Sequence, residues 1–168
     1  MRICPCGTEL PVTPGVGRPR SYCSSACRQR AYRARRVPAV MQGRRWVRAA
    51  GKRPVTVDGH AASVTDPGTW STYRQVVMSR AGDGYGVMLG GGLGCYDLDG
   101  VTDDEARRFV ATVSEPVVMV ERSLSGRGVH VFVEAPEAPG WRRMVDGLSV
   151  ERYARDRFIR VTGDRLYF

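Results

Sequence analysis

The sequence predicts an α+β domain with a small cysteine module at its head. Three observations lead there. Four of the five cysteines fall within residues 1–27. From Trp46 onward, short apolar runs bounded by glycines recur with the length and alternation of strands. Between two of these runs sits Thr102-Asp103-Asp104-Glu105, the Thr-x-x-Glu box that opens a helix. The order of elements, strand-rich with few helices, predicts a twisted antiparallel sheet with helices on one face.

Residues 1–36 form the cysteine module, 37–45 read as a linker, and 46–168 form the larger domain. Within the larger domain an extended piece is expected near 54–57, and Asp66-Pro67 marks the start of a short helix over about 69–80. Tyr85–Leu89 and Gly94–Asp99 flank three consecutive glycines and read as a hairpin. The capping box starts a helix running to about Val113, with Phe109 and Val110 inward. Val117–Glu121 and Val129–Glu134 are strands joined through Ser125-Gly126-Arg127-Gly128. A short helix is expected near 140–146, and Leu148–Tyr153 with Arg157–Thr162 closes the chain as a last hairpin.

A hydrophobic content of 42% supplies a packed core and argues against wholesale disorder. No apolar run reaches the roughly 20 residues of a membrane span, and the polar, cysteine-containing start has no signal-peptide core. A cytoplasmic protein with no membrane partner is therefore expected. Charge is unevenly distributed. Residues 1–53 carry 13 Lys+Arg against the single acid Glu9, a balance of +12, whereas residues 54–168 balance at −3. A basic head on a near-neutral body predicts a polyanion contact in the N-terminal third.

Cys4, Cys6, Cys23 and Cys27 offer four thiolates in two pairs, suited to tetrahedral Zn²⁺. Cys95 stands alone and reads as a core residue. After Cys27 the chain carries Arg28, Arg30, Arg33, Arg35 and Arg36 with no acid among them. Such a stretch suits a sequence-independent, salt-sensitive contact with a phosphate backbone.

Asp97-Leu98-Asp99 ends a strand, so both carboxylates project to one face while Leu98 enters the core. Like charges held so close repel unless a cation sits between them, and carboxylate oxygens select Mg²⁺ or Mn²⁺. Glu151 alternates with Val150 and supplies a third carboxylate. Ser125-Gly126-Arg127-Gly128 leads into a strand bearing His130; such a turn makes a nest of N–H groups for phosphate oxygens.

In this order, Tyr96-Asp97-Leu98-Asp99, the Ser125–His130 segment, and Val150-Glu151-Arg152-Tyr153 with Arg157–Gly163 resemble the archaeo-eukaryotic primase superfamily. The nearest likeness is to primase-polymerase domains of phages and plasmids. Lys52-Arg53-Pro54, Gly59, Ala62-Ser63 and the segment Thr65–Trp70 extend the resemblance over about residues 46–168. The resemblance implies an RNA-recognition-motif-like sheet and a DNA primase or primase-polymerase activity using NTPs or dNTPs on a single-stranded DNA template. It implies Asp97, Asp99 and Glu151 as ligands of Mg²⁺ or Mn²⁺. Ser125, Arg127 and His130 would hold the triphosphate, with Arg157 as a further phosphate contact. It also leaves room for a replicative helicase as partner. No Gly-x-x-x-x-Gly-Lys-Ser/Thr loop occurs in the chain. The alternative is a non-catalytic, zinc-containing replication accessory with a degenerate primase-like fold. A rolling-circle-type nickase ranks below both, because its usual paired histidines are lacking: His60 and His130 lie far apart in the sequence.

Overall fold

The computed structural model describes residues 2–4, 6–10, 19–29 and 37–168. The chain divides into two compact units, Met1–Val37 and Pro38–Leu166, with Tyr167 grouping with the first and Phe168 with the second.

In the first unit, β1 (Arg2–Ile3) and β2 (Glu9–Leu10) pair antiparallel around a tight turn. The turn is closed by Gly7 N–H to Cys4 O and Cys4 N–H to Thr8 O, both 2.8 Å, with Gly7 at φ +87°. A helix, α1, covers 25–29. Ser24 Oγ accepts from Cys27 N–H at 3.1 Å and caps it. Arg30, Arg33, Arg35 and Arg36 lie outside the described residues.

The second unit is mixed α+β, and every strand pairing in it is antiparallel. In chain order it contains β3 (Arg44–Ala50), β4 (Arg53–Val55), β5 (Ser71–Thr72), α2 (Tyr73–Met78), β6 (Gly84–Met88), β7 (Leu93–Asp99) and α3 (Asp103–Thr112). There follow β8 (Val117–Arg122), β9 (Val129–Glu134), β10 (Trp141–Val145), β11 (Leu148–Tyr153) and β12 (Phe158–Val161). One sheet has the order β10-β11-β7-β9-β8 and the other β12-β6-β3-β4, with β5 paired to β3. In the first sheet α3 crosses from β7 to β8, and β9 returns between them.

The core of this sheet lies between it and α3. Tyr96, Leu98, Val129, Val131, Val133 and Val150 pack against Ala106 and Phe109. Thr102 caps α3 with both halves of the capping box formed. At the margin of this face Glu115 accepts from Tyr96 Oη (2.9 Å) and Arg152 Nη2 (3.1 Å). The other sheet is anchored by Trp46, whose ring meets Tyr73 edge-on at 4.8 Å and whose Nε1 donates to Met41 O at 2.7 Å.

Several expectations are corrected. The two hairpins are not hairpins. β6 pairs with β3 and β12, whereas β7 pairs with β9 and β11; between them only Gly90 and Leu93 bridge. Likewise β11 and β12 belong to different sheets. In both cases two apolar strands adjacent in sequence satisfy their edges with distant partners. Residues 141–145 form β10, not a helix; five residues paired to β11 leave no room for a helical turn. Asp66 caps only a 3₁₀ turn, Pro67–Thr69, and the following helix starts from the Thr72 cap. Residues 37–45 contain a 3₁₀ turn whose Met41 is fully buried, then the first two residues of β3. Among the described residues no helix is long and apolar enough to cross a membrane.

Candidate active site

Register pairing lays five ionisable side chains in one row across the first sheet. Arg142 of β10 faces Glu151 of β11, Glu151 faces Asp97 of β7, Asp97 faces His130 of β9, and His130 faces Glu121 of β8. Directly opposed residues project to the same side, so this row occupies the face opposite α3. Asp99, two residues beyond Asp97, shares that face and opposes Ser149.

The middle of the row borders a cleft of about 500 Å³. Asp97, Asp99 and His130 line it together with Ser123, Leu124 and Ser125 of the β8–β9 turn. Lys52, Pro54, Arg157 and Arg160 are among the residues lining its other sides. Carboxylates on one wall and cations on another suit a metal–phosphate ligand.

Each ring nitrogen of His130 faces a carboxylate. Nε2 lies 3.7 Å from Asp97 Oδ1 and Nδ1 lies 3.4 Å from Glu121 Oε1. Burial pushes the Asp97 carboxyl above its usual range; Asp99 and Glu151 add to this, while His130 and Arg157 oppose it. Glu151 is held from three sides. Tyr153 Oη donates to Oε2 at 2.6 Å, Arg142 Nε lies 3.3 Å from Oε1, and Arg157 Nη2 lies 4.0 Å from Oε2. Arg157 also stacks over the Tyr153 ring at 4.3 Å. The donor set of Asp97, Asp99 and Glu151 fits a hard divalent cation in chemistry. The carboxylates of this face stand apart, and the gathered ligand cluster among the described residues is made of cysteines.

The β8–β9 turn is built by Ser123. Its N–H donates to Gly128 O at 2.8 Å, and its Oγ accepts from Gly128 N–H at 3.1 Å and lies 3.1 Å from Ser125 Oγ. Gly128 is required by space: a Cβ there would sit 2.6 Å from Leu98 O. Ser125 lies in the cleft, whereas Arg127 is exposed and is not among the residues lining it.

Glu121, Tyr153, Arg142 and Lys52 also belong to this neighbourhood and escaped assignment from the sequence. Tyr153 was legible, being two residues from Glu151 on the same strand face. Glu121 and Arg142 were not, since their places depend on cross-strand register.

In the first unit the sulfurs of Cys4, Cys6, Cys23 and Cys27 all lie within 4.8 Å of one another. A tetrahedral Zn–S₄ centre requires sulfur separations of about 3.8 Å, from Zn–S bonds of about 2.3 Å, so the quartet fits zinc. Crowded thiols share protons. Hydrogen bonds, chiefly from Thr8, pull the Cys6 thiol down to about 6, while Cys27 and the other sulfurs push Cys23 up to about 12. Cys95 is fully buried and distant from this group in sequence.

No functionally curated protein matches the chain. The family model for the bifunctional DNA primase/polymerase, N-terminal (Prim-Pol), matches residues 3–167, reaching further toward the N-terminus than the motifs themselves and taking in the cysteine module. On a match of that extent, the chain belongs to the Prim-Pol family.

Proposed function

We propose that this primase-polymerase-type chain performs template-directed nucleotidyl transfer from NTPs or dNTPs on single-stranded DNA, in phage or plasmid replication, with the cleft of Asp97, Asp99, His130 and Glu151 as its centre. The observation that carries the reading is the register: Asp97 has His130 as neighbour on one side and Glu151 on the other, and Asp97, Asp99 and His130 line a cleft that Lys52, Arg157 and Arg160 also line.

In this reading Asp97, Asp99 and Glu151 hold Mg²⁺ or Mn²⁺. Such ions, when bound, neutralise phosphate charge and favour an attacking 3′-oxygen. His130, Ser125 and the neighbouring N–H groups hold the triphosphate, and Arg157 and Arg127 supply positive charge toward it. The 3′-OH attacks the α-phosphate in line, its proton passing to solvent water, the new P–O bond forming as the α–β phosphoanhydride bond breaks and pyrophosphate departs. Catalysis is then mainly positioning and charge neutralisation. The β7-α3-β8-β9-β11 arrangement, with β7 and β9 central, supports an RNA-recognition-motif-like core in which β10 stands where a second helix is usual. The cysteine quartet holds Zn²⁺, and Arg28 with the arginines that follow it contacts the template backbone or an initiating nucleotide.

The test is primer synthesis by the full chain with labelled NTPs or dNTPs, single-stranded template and Mn²⁺. The Asp97→Ala/Asp99→Ala double variant is expected to lose all synthesis. Undiminished synthesis by that variant refutes the reading. A second reading draws on Glu151 being engaged by Tyr153, Arg142 and Arg157: a non-catalytic, zinc-containing accessory. It expects DNA binding with no divalent-ion or nucleotide binding at the acidic row, measurable by calorimetry.

A further inference from the structure

We propose that Glu121 is a positioning residue that acts through His130: its buried carboxylate holds the imidazole by Nδ1 and so aims Nε2 into the cleft.

Glu121 is fully buried, with 0% exposure. A carboxylate in that position is costly unless its oxygens are hydrogen-bonded. Oε1 accepts from Thr162 N–H at 3.1 Å and lies 3.4 Å from His130 Nδ1, while Oε2 accepts from Gly163 N–H at 3.1 Å. The carboxylate is therefore fixed by two backbone donors, and the imidazole is the side chain within hydrogen-bond reach of it. A contact between Nδ1 and a carboxylate oxygen fixed from behind sets the ring's orientation and leaves Nε2 as the atom facing Asp97, 3.7 Å away. Phe132 meets the same ring edge-on at 6.1 Å and limits its tilt.

A purely structural role would be to strap residues 162–166 onto β8. That segment is already tied without the Glu121 side chain. Arg122 N–H donates to Asp164 O at 2.9 Å, Leu166 N–H to Val120 O at 3.0 Å, and Thr162 Oγ1 to Arg122 O at 2.7 Å. The Thr162 and Gly163 N–H groups occupy one oxygen each and set the carboxylate in place, and Oε1 so placed also meets the imidazole.

The inference that this aim matters for nucleotide use rests on the proposed function; the aim itself does not, and the experiment separates them. The full chain is labelled with ¹⁵N-histidine. It contains only two histidines, so the His130→Ala variant assigns the His130 signals. The expected result is an Nδ1–H proton of His130 protected from exchange in the native chain, lost in Glu121→Leu and weakened in Glu121→Gln, which keeps one acceptor. A bare Nδ1 in the native chain overturns the proposal whether or not the chain polymerises. In primer synthesis, Glu121→Leu is expected to lower kcat/KM for nucleotide roughly 10- to 100-fold. Combining it with His130→Ala should cost no more than His130→Ala alone, because the two act as one unit. Losses that multiply independently would mean a structural role only and would also overturn it. If Glu121→Leu does not fold, Glu121→Gln carries the same cycle. Absence of synthesis by the native chain would count against the proposed function and leave the imidazole signal to decide the role of Glu121.

Discussion

Asp97 stands in the candidate site with its carboxyl held above the usual range. Its strand position half-buries it between Glu151 and His130, and its carboxyl is pushed up first by desolvation and then by its acidic neighbours, against the pull of His130. A carboxyl raised in the folded state gives its full contribution to stability below the unfolded value. That contribution is lost as pH rises through the raised folded value. At neutral pH the metal-free protein therefore bears the cost, and Asp97→Asn should stabilise it, by an amount on the order of 1 kcal/mol. Thermal melting at pH 7 in chelator checks this; a lower melting temperature for Asp97→Asn would show that its contact with His130 outweighs the repulsion. The same residue shows how far local reading extends. That Asp97 and Asp99 share a face follows from a two-residue period, and Tyr153 follows from Glu151 by the same rule. That Glu121 reaches His130 follows from no local rule.

At the scale of elements, local chemistry and tertiary pairing divide the outcome. The α3 start was legible because its signal is complete within four residues: Thr102 Oγ1 accepts from Glu105 N–H at 3.3 Å, and Glu105 Oε2 accepts from Thr102 N–H at 2.8 Å. Thr102→Ala should cost about 1 kcal/mol, read from denaturant midpoints with an unchanged slope; a neutral result would mean the box contributes nothing beyond what solvent supplies. Strand existence was also legible, since β7, β8 and β9 announce themselves by apolar runs. Strand partnership was not. Val87 and Leu98 are both fully buried, but apolarity says only that a strand is covered, not by which neighbour. This is why β6 with β7, and β11 with β12, have the local pattern of hairpins although they feed separate sheets. β10 was missed for a related reason: Trp141-Arg142-Arg143-Met144-Val145 has a weak period, and its strand character comes from pairing with β11.

For the molecule as a whole, the two units present different chemistry. The cysteine quartet fits zinc, and the full chain should bind one zinc ion, with the metal lost in the Cys23→Ser/Cys27→Ser variant. Metal analysis of the purified proteins measures it. The same variant should bind single-stranded DNA more weakly with a shallower salt dependence; unchanged binding would remove the template role from the basic head. The sequence by itself determined the inventory: four thiols near the start, the strand and helix segments with strong local signals, a paired aspartate at a strand end, and a glycine turn before a histidine. It could do so because these signals span a few residues and depend on local geometry. Only the tertiary structure decided that Glu151, Asp97, His130 and Glu121 stand in one row, that Arg142 ends it, and that the chain's strands sort into two sheets. Those outcomes depend on register between strands far apart in the chain, Asp97 with Glu151 and Tyr85 with Val161 among them, which hydrophobic patterning leaves undetermined until the strands meet.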